Sequence, residues 1–263
     1  MRTVRAEIAY DGARFFGWQR QDGFDSVQAA VEGALAALLD TLVTVHGAGR
    51  TDRGVHALRQ VAHFHVNTRL DDNRLRHALN AHLVEGVVIN RLETCRDDFH
   101  ARFDARGKRY VYRVVTTRFR PPLMRDYQHW VNLPLDHAAM RDAAERMVGE
   151  HDFAAFGNAG SVRRTTVRRV MGVRLLARRE YFSVVVQGNG FLYNMVRNMV
   201  GTLLDVGRGT RSASEVSAAL ASGDRDLVGP TAPARGLYLA RVLYAEPTFR
   251  GPDCGPSGTP GLF

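Results

Sequence analysis

Cysteine is almost absent from this chain, and that shortage narrows what the chain can be. Cys95 and Cys254 are the only cysteines among 263 residues, which excludes a disulfide framework and a thiolate metal site. No segment approaches the roughly 18 apolar residues of a membrane-spanning helix. Residues 1–10 alternate charged and apolar side chains, without the apolar core of a signal peptide. We therefore expect a cytoplasmic protein with no membrane association.

Phosphate-binding loops are also missing. The chain has neither a G-x-x-x-x-G-K segment nor a strand-linked G-x-G-x-x-G segment, so no nucleotide cofactor is expected. His46, His56, His63 and His65 lie close in sequence, but no acidic residue or cysteine joins them at a recognisable ligand spacing. Solvated or hydrogen-bonded histidines are the simpler interpretation. We expect neither a metal nor any other cofactor.

Positive charge is what the chain has in excess. Its formal net charge is +9, and Lys108 is the only lysine among 36 basic residues. A hydrophobic content of 45% and a charged content of 24% are typical of a globular protein. Net charge of this sign favours a polyanionic partner, and nucleic acid is the first candidate.

Hydrophobic periodicity predicts strands and helices in two successive halves. Ser26 is placed to cap a helix that ends near residue 39, and Ser212 with Glu215 forms a capping box for another. Strands are predicted at residues 3–10, 42–47, 60–66, 87–93, 109–116, 167–177, 181–188 and 237–244, and further helices at 72–83, 136–148 and 192–206.

These elements predict an α+β fold with two sheet-based lobes, flanking helices and a basic cleft between the lobes. The N-terminal lobe would span residues 1–105 and the C-terminal lobe residues 106–246. Residues 247–263 are rich in glycine and proline and are predicted to form a disordered tail.

One loop places a single carboxylate between arginines and glycines. Residues 49–57 read Gly-Arg-Thr-Asp-Arg-Gly-Val-His-Ala, with Asp52 between Arg50 and Arg53. The glycines let the backbone turn sharply and let a ligand approach closely. Flanking cations favour the ionised carboxylate, which suits a nucleophile or an electrostatic stabiliser. The alternative is an ordinary polar turn whose aspartate caps the backbone.

A cation interrupts the most apolar helix. Residues 192–206 are apolar over most of the helix circumference, which indicates burial, yet Arg197 lies in the middle. Asn194, Arg197, Asn198 and Gly201 form a polar stripe that could face a cleft. A buried guanidinium needs an anion, so we predict that Arg197 pairs with Asp52. A purely structural pairing with another carboxylate is the alternative.

A third candidate lies on the strand predicted at residues 109–116. Tyr110 and Tyr112 fall on one face of this strand, and Arg109 and Arg113 on the other. Aromatic rings on a strand can stack on an unpaired base. Tyr112 is the better candidate for a core residue. Tyr110 is the better candidate for a base-stacking residue.

Asp52, Tyr110 and Arg197 lie in segments that resemble the tRNA pseudouridine synthase A family. The resemblance covers the chain to about residue 245. The segments that carry it are Tyr10-Asp11-Gly12, Phe16-Gly17-Trp18-Gln19, Ser26-Val27-Gln28, residues 49–57, Phe99-His100-Ala101-Arg102-Phe103, Lys108-Arg109-Tyr110-Val111-Tyr112, His151-Asp152-Phe153, Phe191-Leu192, Met195-Val196-Arg197-Asn198, Ala232-Pro233 and Gly236-Leu237. Several motifs in one order are far more specific than any one of them.

The resemblance implies that uridine is isomerised to pseudouridine in the anticodon stem-loop of tRNA, near positions 38–40, without a cofactor. Asp52 would be the essential aspartate, acting at C1′ or C2′ of the ribose. Arg50 would hold the flipped nucleotide or fill its vacated space, and flipping costs a few kcal/mol. Tyr110 would stack on the uracil and help in removing its C5 proton, and Arg197 would orient Asp52.

The resemblance carries one further expectation, and the chain departs from the family pattern at one place. The family implies a homodimer whose tRNA spans both subunits. The chain departs from many relatives by having Tyr193 and Asn194 after Phe-Leu, where those relatives carry histidines.

Residues 158–166, with Arg163 and Arg164, are a further candidate for a mobile RNA contact.

Two other functions remain as alternatives. A non-catalytic RNA-binding or chaperone protein would use the same basic charge and the same Tyr110, but would not need the pairing of Asp52 with Arg197. A glycoside or nucleoside hydrolase would need a second carboxylate poised as an acid. The sequence shows no such residue near Asp52, so the hydrolase ranks last.

Overall fold

The structure is a computed structural model, and it describes residues 1–158, 165–245 and Phe249. The candidate RNA-contacting residues Arg163 and Arg164 lie outside this part of the chain. So does the predicted tail from residue 250 onward. Phe249 itself is buried, with the guanidinium of Arg5 5.3 Å from its ring centre.

In the described part of the chain, ten strands and five α-helices form an α+β fold, as predicted. The strands are β1 Arg2–Tyr10, β2 His46–Gly47, β3 His56–Val66, β4 Val87–Thr94, β5 Gly107–Val115, β6 His129–Trp130, β7 Gly149–Asp152, β8 Val167–Arg178, β9 Tyr181–Gly188 and β10 Leu237–Leu243. The helices are α1 Val27–Leu39, α2 Asp72–His82, α3 His137–Arg146, α4 Met195–Gly207 and α5 Ala213–Ser222.

All of these strands belong to one sheet. Eight of them follow the order β4-β1-β3-β10-β5-β9-β8-β7, while β2 pairs with β3 and β6 pairs with β5. The last strand in sequence, β10, lies in the middle, parallel to β3 and antiparallel to β5. It therefore joins strands from the first half of the chain to strands from the second within one sheet. The predicted lobe boundary at residues 105–106 lies just before β5.

The helix starts follow from local side-chain chemistry. The Ser26 side chain accepts a hydrogen bond from the Ala29 N–H at the start of α1, and the Asp136 side chain accepts two at the start of α3. Ser212 and Glu215 form the predicted capping box at α5. Each such cap satisfies backbone N–H groups that have no partner within the helix.

Two predicted elements are shorter than their patterns indicated. Residues 42–45 are not a strand, because the Val45 N–H donates to the Glu32 carboxylate and the Val45 carbonyl accepts from Gln28. Helix α4 begins at Met195, not at residue 192, because Asn194 has a φ of 60°. A left-handed residue ends a right-handed helix, and asparagine tolerates this conformation well.

Candidate active site

A cleft of about 1270 Å³ opens where the residue 49–55 loop, the start of β5 and the start of α4 meet. Among the described residues that line it, Asp52 is the single carboxylate. Seven basic side chains line it as well: Arg20, Arg50, Arg53, Arg102, Lys108, Arg168 and Arg197.

The loop that carries Asp52 is fixed by the segment that follows β1. The Trp18 N–H donates to the Thr51 carbonyl at 3.1 Å, and the Tyr10 and Thr51 hydroxyls lie 2.7 Å apart. Buried Gln60 donates to the Gly49 carbonyl at 2.7 Å. The residues that precede Asp52 in the loop are therefore held in place, which pre-organises the carboxylate.

Two glycines allow this close approach. A Cβ at position 12 would lie 2.1 Å from the Val55 carbonyl oxygen, and a Cβ at position 17 would lie 2.7 Å from the Thr51 carbonyl oxygen. Gly17 also has a φ of +106°. Side chains at either position would push the Asp52 loop away from the body of the protein.

We expect Gly12→Ala to lower the free energy of unfolding by about 1–3 kcal/mol, since the new methyl overlaps a backbone oxygen. Gly33→Ala is the matched control. Gly33 lies within α1 with open space around the Cβ position, so alanine there is expected to stabilise by about 0.5–1 kcal/mol. Urea denaturation measures both changes. Equal effects at the two positions would contradict the tight contact between Gly12 and the loop.

The predicted pairing of Arg197 with Asp52 is confirmed. Arg197 Nη1 lies 3.8 Å from Asp52 Oδ2. Two further bonds orient the guanidinium: Nε donates to the Ala232 carbonyl at 2.7 Å, and Nη1 donates to Asn194 Oδ1 at 2.8 Å. Arg197 is thus held by three groups from three segments.

Two members of the predicted polar stripe, Asn198 and Gly201, do not face the cleft. Asn198 is fully buried, donates to the Phe156 carbonyl and accepts from the Thr231 hydroxyl. A Cβ at Gly201 would lie 1.7 Å from the Pro230 carbonyl oxygen, so this glycine serves close packing. These two residues follow the helical period of Arg197, but the chain segments packed on α4 cover them.

Tyr110 lines the cleft and is 8% exposed. Its ring meets Phe191 edge-on, with 5.3 Å between centres. Burial, with the nearby Tyr10 and Asp52, raises the pKa of the Tyr110 phenol well above its ordinary value. The phenol therefore stays protonated at neutral pH and presents a neutral ring to the cleft. Tyr112 is buried in the core, as predicted, and its hydroxyl donates to the Pro233 carbonyl.

Arg50 is exposed and lines the same cleft as Asp52, Tyr110 and Arg197. All four predicted site residues therefore meet at one place. They come from the loop before β3, from β5 and from α4, which are far apart in sequence.

The structure gives contacts to two residues that the sequence named without assigning them a role. Asn194, the N-cap residue of α4, accepts a hydrogen bond from Arg197 and so helps to position it. His56, just beyond the Asp52 loop, accepts the Gly12 N–H at Nδ1, while its Nε2 lies 3.1 Å from the Asp126 carbonyl. Burial lowers the pKa of His56, which keeps the ring neutral for these two contacts. Hydrogen bonds between distant segments leave no periodic pattern in a sequence.

Comparisons with known proteins point to one family. The family model described as tRNA pseudouridine synthase matches residues 6–104 and 143–245. A tRNA pseudouridine synthase A of Syntrophotalea carbinolica is 46% identical over 245 residues, covering 93% of this chain and 97% of that protein. Those of Acetivibrio thermocellus and Thermoanaerobacter sp. strain X514 are 42% and 40% identical over 244 residues, each covering 93% of this chain and 100% of the relative.

The matched regions contain Asp52, Arg50 and Arg197, and the shared length leaves little of the chain unmatched. No helix in the described ranges is long and apolar enough to cross a membrane. Similarity at this level, over nearly the full length of both proteins, shows common ancestry and a common fold. This chain belongs to the tRNA pseudouridine synthase family.

Proposed function

We propose that this enzyme isomerises uridine to pseudouridine in the anticodon stem-loop of tRNA, at or near positions 38–40. The observation that carries the proposal is one carboxylate, Asp52, held 3.8 Å from a fixed guanidinium in a cleft lined with seven basic side chains. Its family membership supports the same reaction.

The reaction needs a group that acts on the ribose while the base is detached. Asp52 acts at C1′ or C2′, the glycosidic bond breaks, and the uracil rotates and rejoins through C5. The proton at C5 is then lost and one returns to N1, so no redox partner is involved. Arg197 orients the carboxylate and balances its negative charge.

Tyr110 and Arg50 take the substrate-binding roles. The neutral phenol of Tyr110 stacks on the uracil, which fits a buried ring at the wall of the cleft. A protonated phenol is a poor proton acceptor, so stacking is the role that its raised pKa favours over removal of the C5 proton. Exposed Arg50 either holds the flipped nucleotide or fills the space that the nucleotide leaves in the RNA.

The hydrolase alternative lacks its second carboxylate. Glycosidases need an acid and a base or nucleophile within about 10 Å of each other. Among the described residues that line the cleft, Asp52 is the single acidic side chain. The binding-protein alternative differs from the enzyme only in the reaction. Both predict tRNA binding, but only the enzyme forms pseudouridine.

The deciding experiment is release of tritium from unmodified tRNA whose uridines carry tritium at C5. Isomerisation exchanges that tritium into water, and nuclease mapping then locates the pseudouridine. Release from the anticodon stem-loop is the expected result. Bound tRNA without release would assign the chain to the binding-protein class.

We expect tRNA affinity to fall at least about tenfold between 50 and 200 mM salt, because each phosphate contact releases counterions. Filter binding with unmodified tRNA at a series of salt concentrations measures the slope. An affinity that is indifferent to ionic strength would contradict phosphate binding by the basic side chains of the cleft.

The homodimer is part of the proposal and follows from the family resemblance. A dimer would offer the net charge of two chains, +9 each, to one tRNA. Sedimentation equilibrium distinguishes a 29.3 kDa monomer from a particle of twice that mass.

A further inference from the structure

Lys108, the one lysine of the chain, lies at the start of β5 on the wall of the cleft. It shares a strand face with Tyr110, two residues further on, which places the two about 7 Å apart along the strand. A ligand that stacks on Tyr110 and extends along β5 toward its N-terminal end therefore reaches Lys108.

The Lys108 side chain lies across the beginning of the Asp52 loop. A Cβ at Gly49 would lie 2.8 Å from Lys108 Cε and 3.3 Å from Nζ. On the neighbouring strands, Gly188 and Val242 pair with Lys108, and neither carries a charge. Most of the side chain is therefore removed from water by uncharged groups.

The charged neighbour that acts on Lys108 is a cation. Arg102 is the neighbour whose charge acts on it, Arg50 follows Gly49 in the loop, and His100 lies in the same turn as Arg102. Burial lowers the pKa of His100. Within the described ranges, no acidic side chain forms an ion pair with Lys108. Burial, together with Arg102, lowers the pKa of Lys108 to about 8.

The turn beside Lys108 carries a feature that favours a nucleic acid over a small anion. The ring of Phe103 is 76% exposed, and it lies 4.2 Å from the His100 ring and 5.8 Å from the Arg102 guanidinium. An exposed aromatic ring beside basic groups is the usual platform for an unpaired base.

We propose that Lys108, together with Arg102, binds a backbone phosphate of the RNA next to the reacting nucleotide. The proposal rests on the proposed function, because it takes RNA as the occupant of the cleft. A phosphate supplies the anion that the protein itself does not provide, and an ammonium so paired holds its proton more strongly.

The test is the pH dependence of tRNA binding by Lys108→Arg and Lys108→Met, each made in the Asp52→Asn background so that no reaction occurs. Free Lys108 loses its proton near pH 8, and the bound form keeps it, so binding takes up a proton above that pH. The parent is the Asp52→Asn protein, which keeps Lys108. Between pH 7 and 9 we expect the Kd of this parent to rise about tenfold more than the Kd of Lys108→Arg, because arginine stays charged throughout.

Lys108→Met should weaken binding at pH 7 and should also remove the extra pH dependence. Titration of the RNA bases and of the N-terminus is common to all variants, so it cancels in the comparison. Arg74→Met is the charge-matched control, since Arg74 lies at the start of α2, outside the cleft lining, and pairs with Asp71. It should bind tRNA as the parent does. Parallel pH curves for the parent and for Lys108→Arg would overturn the proposal.

A second measurement uses the uniqueness of this lysine. An amine-acylating reagent can modify only Lys108 and the N-terminus, and mass spectrometry separates the two. We expect unmodified tRNA to protect Lys108, and inorganic phosphate at about 10 mM, a free anion without the RNA's polyelectrolyte charge, to leave it reactive. Equal protection by phosphate would show that Lys108 binds free anions and not specifically RNA. If tRNA gave no protection, the proposal that Lys108 binds an RNA phosphate would be wrong. Both measurements report binding, so either can fail while the isomerisation stands.

Discussion

Asp52→Asn is expected to abolish tritium release from C5-labelled tRNA while leaving tRNA bound. The amide has the shape of the carboxylate and still accepts hydrogen bonds, but it has no charge and cannot add to the ribose. We expect kcat to fall by at least about 10⁴-fold, the scale on which loss of an essential nucleophile acts. Kd, measured by filter binding at fixed salt, should change less than about fivefold because the seven basic residues remain.

Asp40→Asn is the matched control for that variant. It removes the same charge and makes the same chemical change, at the C-terminal cap of α1 and outside the cleft lining. Asp40 has a φ of 50°, a conformation that asparagine tolerates. It should retain wild-type activity. More than a few per cent activity in Asp52→Asn would reject Asp52 as the essential group.

Arg197→Met should lower kcat by about 10²–10³-fold with little change in KM, as expected when one fixed electrostatic partner is removed from a reacting group. Methionine keeps the apolar stem of the side chain but loses the contacts to Asp52, Asn194 and Ala232. Single-turnover kinetics with excess enzyme measures the effect on the chemical step.

Two companions make that result specific. Arg197→Lys restores one charge without the planar fork, so it should recover part of kcat. Arg208→Met removes a cation from the C-terminal end of the same helix, where Arg208 pairs with Asp205 at 3.2 Å, and should leave kcat unchanged. A rise in KM, with kcat intact, would show that Arg197 binds RNA and does not orient Asp52.

Much of the fold and of the site could be predicted because the relevant signals are local or chemically extreme. The alternation of apolar and polar residues predicts β1, β5 and β9, and the capping residue Ser26 predicts the start of α1. A guanidinium in an apolar helix demands a carboxylate, and that single requirement brought Arg197 and Asp52 together across 145 positions of sequence. Such a buried charge restricts its partners more strongly than any propensity does.

What could not be predicted depends on contacts between segments. The shortening of the strand predicted at residues 42–47 results from the Glu32 carboxylate, which takes the Val45 N–H that a strand partner would bind. The burial of Asn198 results from Phe156 and Thr231. The unusual environment of Lys108 requires Gly49, Gly188 and Arg102 to meet, and each lies in a different segment.

The central position of β10 bears on how the enzyme is made. Leu237 at its start lines the cleft, and Tyr238 pairs with His56, which is 182 positions earlier. A ribosome synthesises the chain from the N-terminus, so β3 and β5 both exist long before the strand that separates them. A nascent chain that stops short of residue 237 has its Asp52 loop but not the neighbour that completes the wall. We therefore expect catalytic competence only after residues 237–243 have been synthesised, and we expect shorter fragments not to modify tRNA.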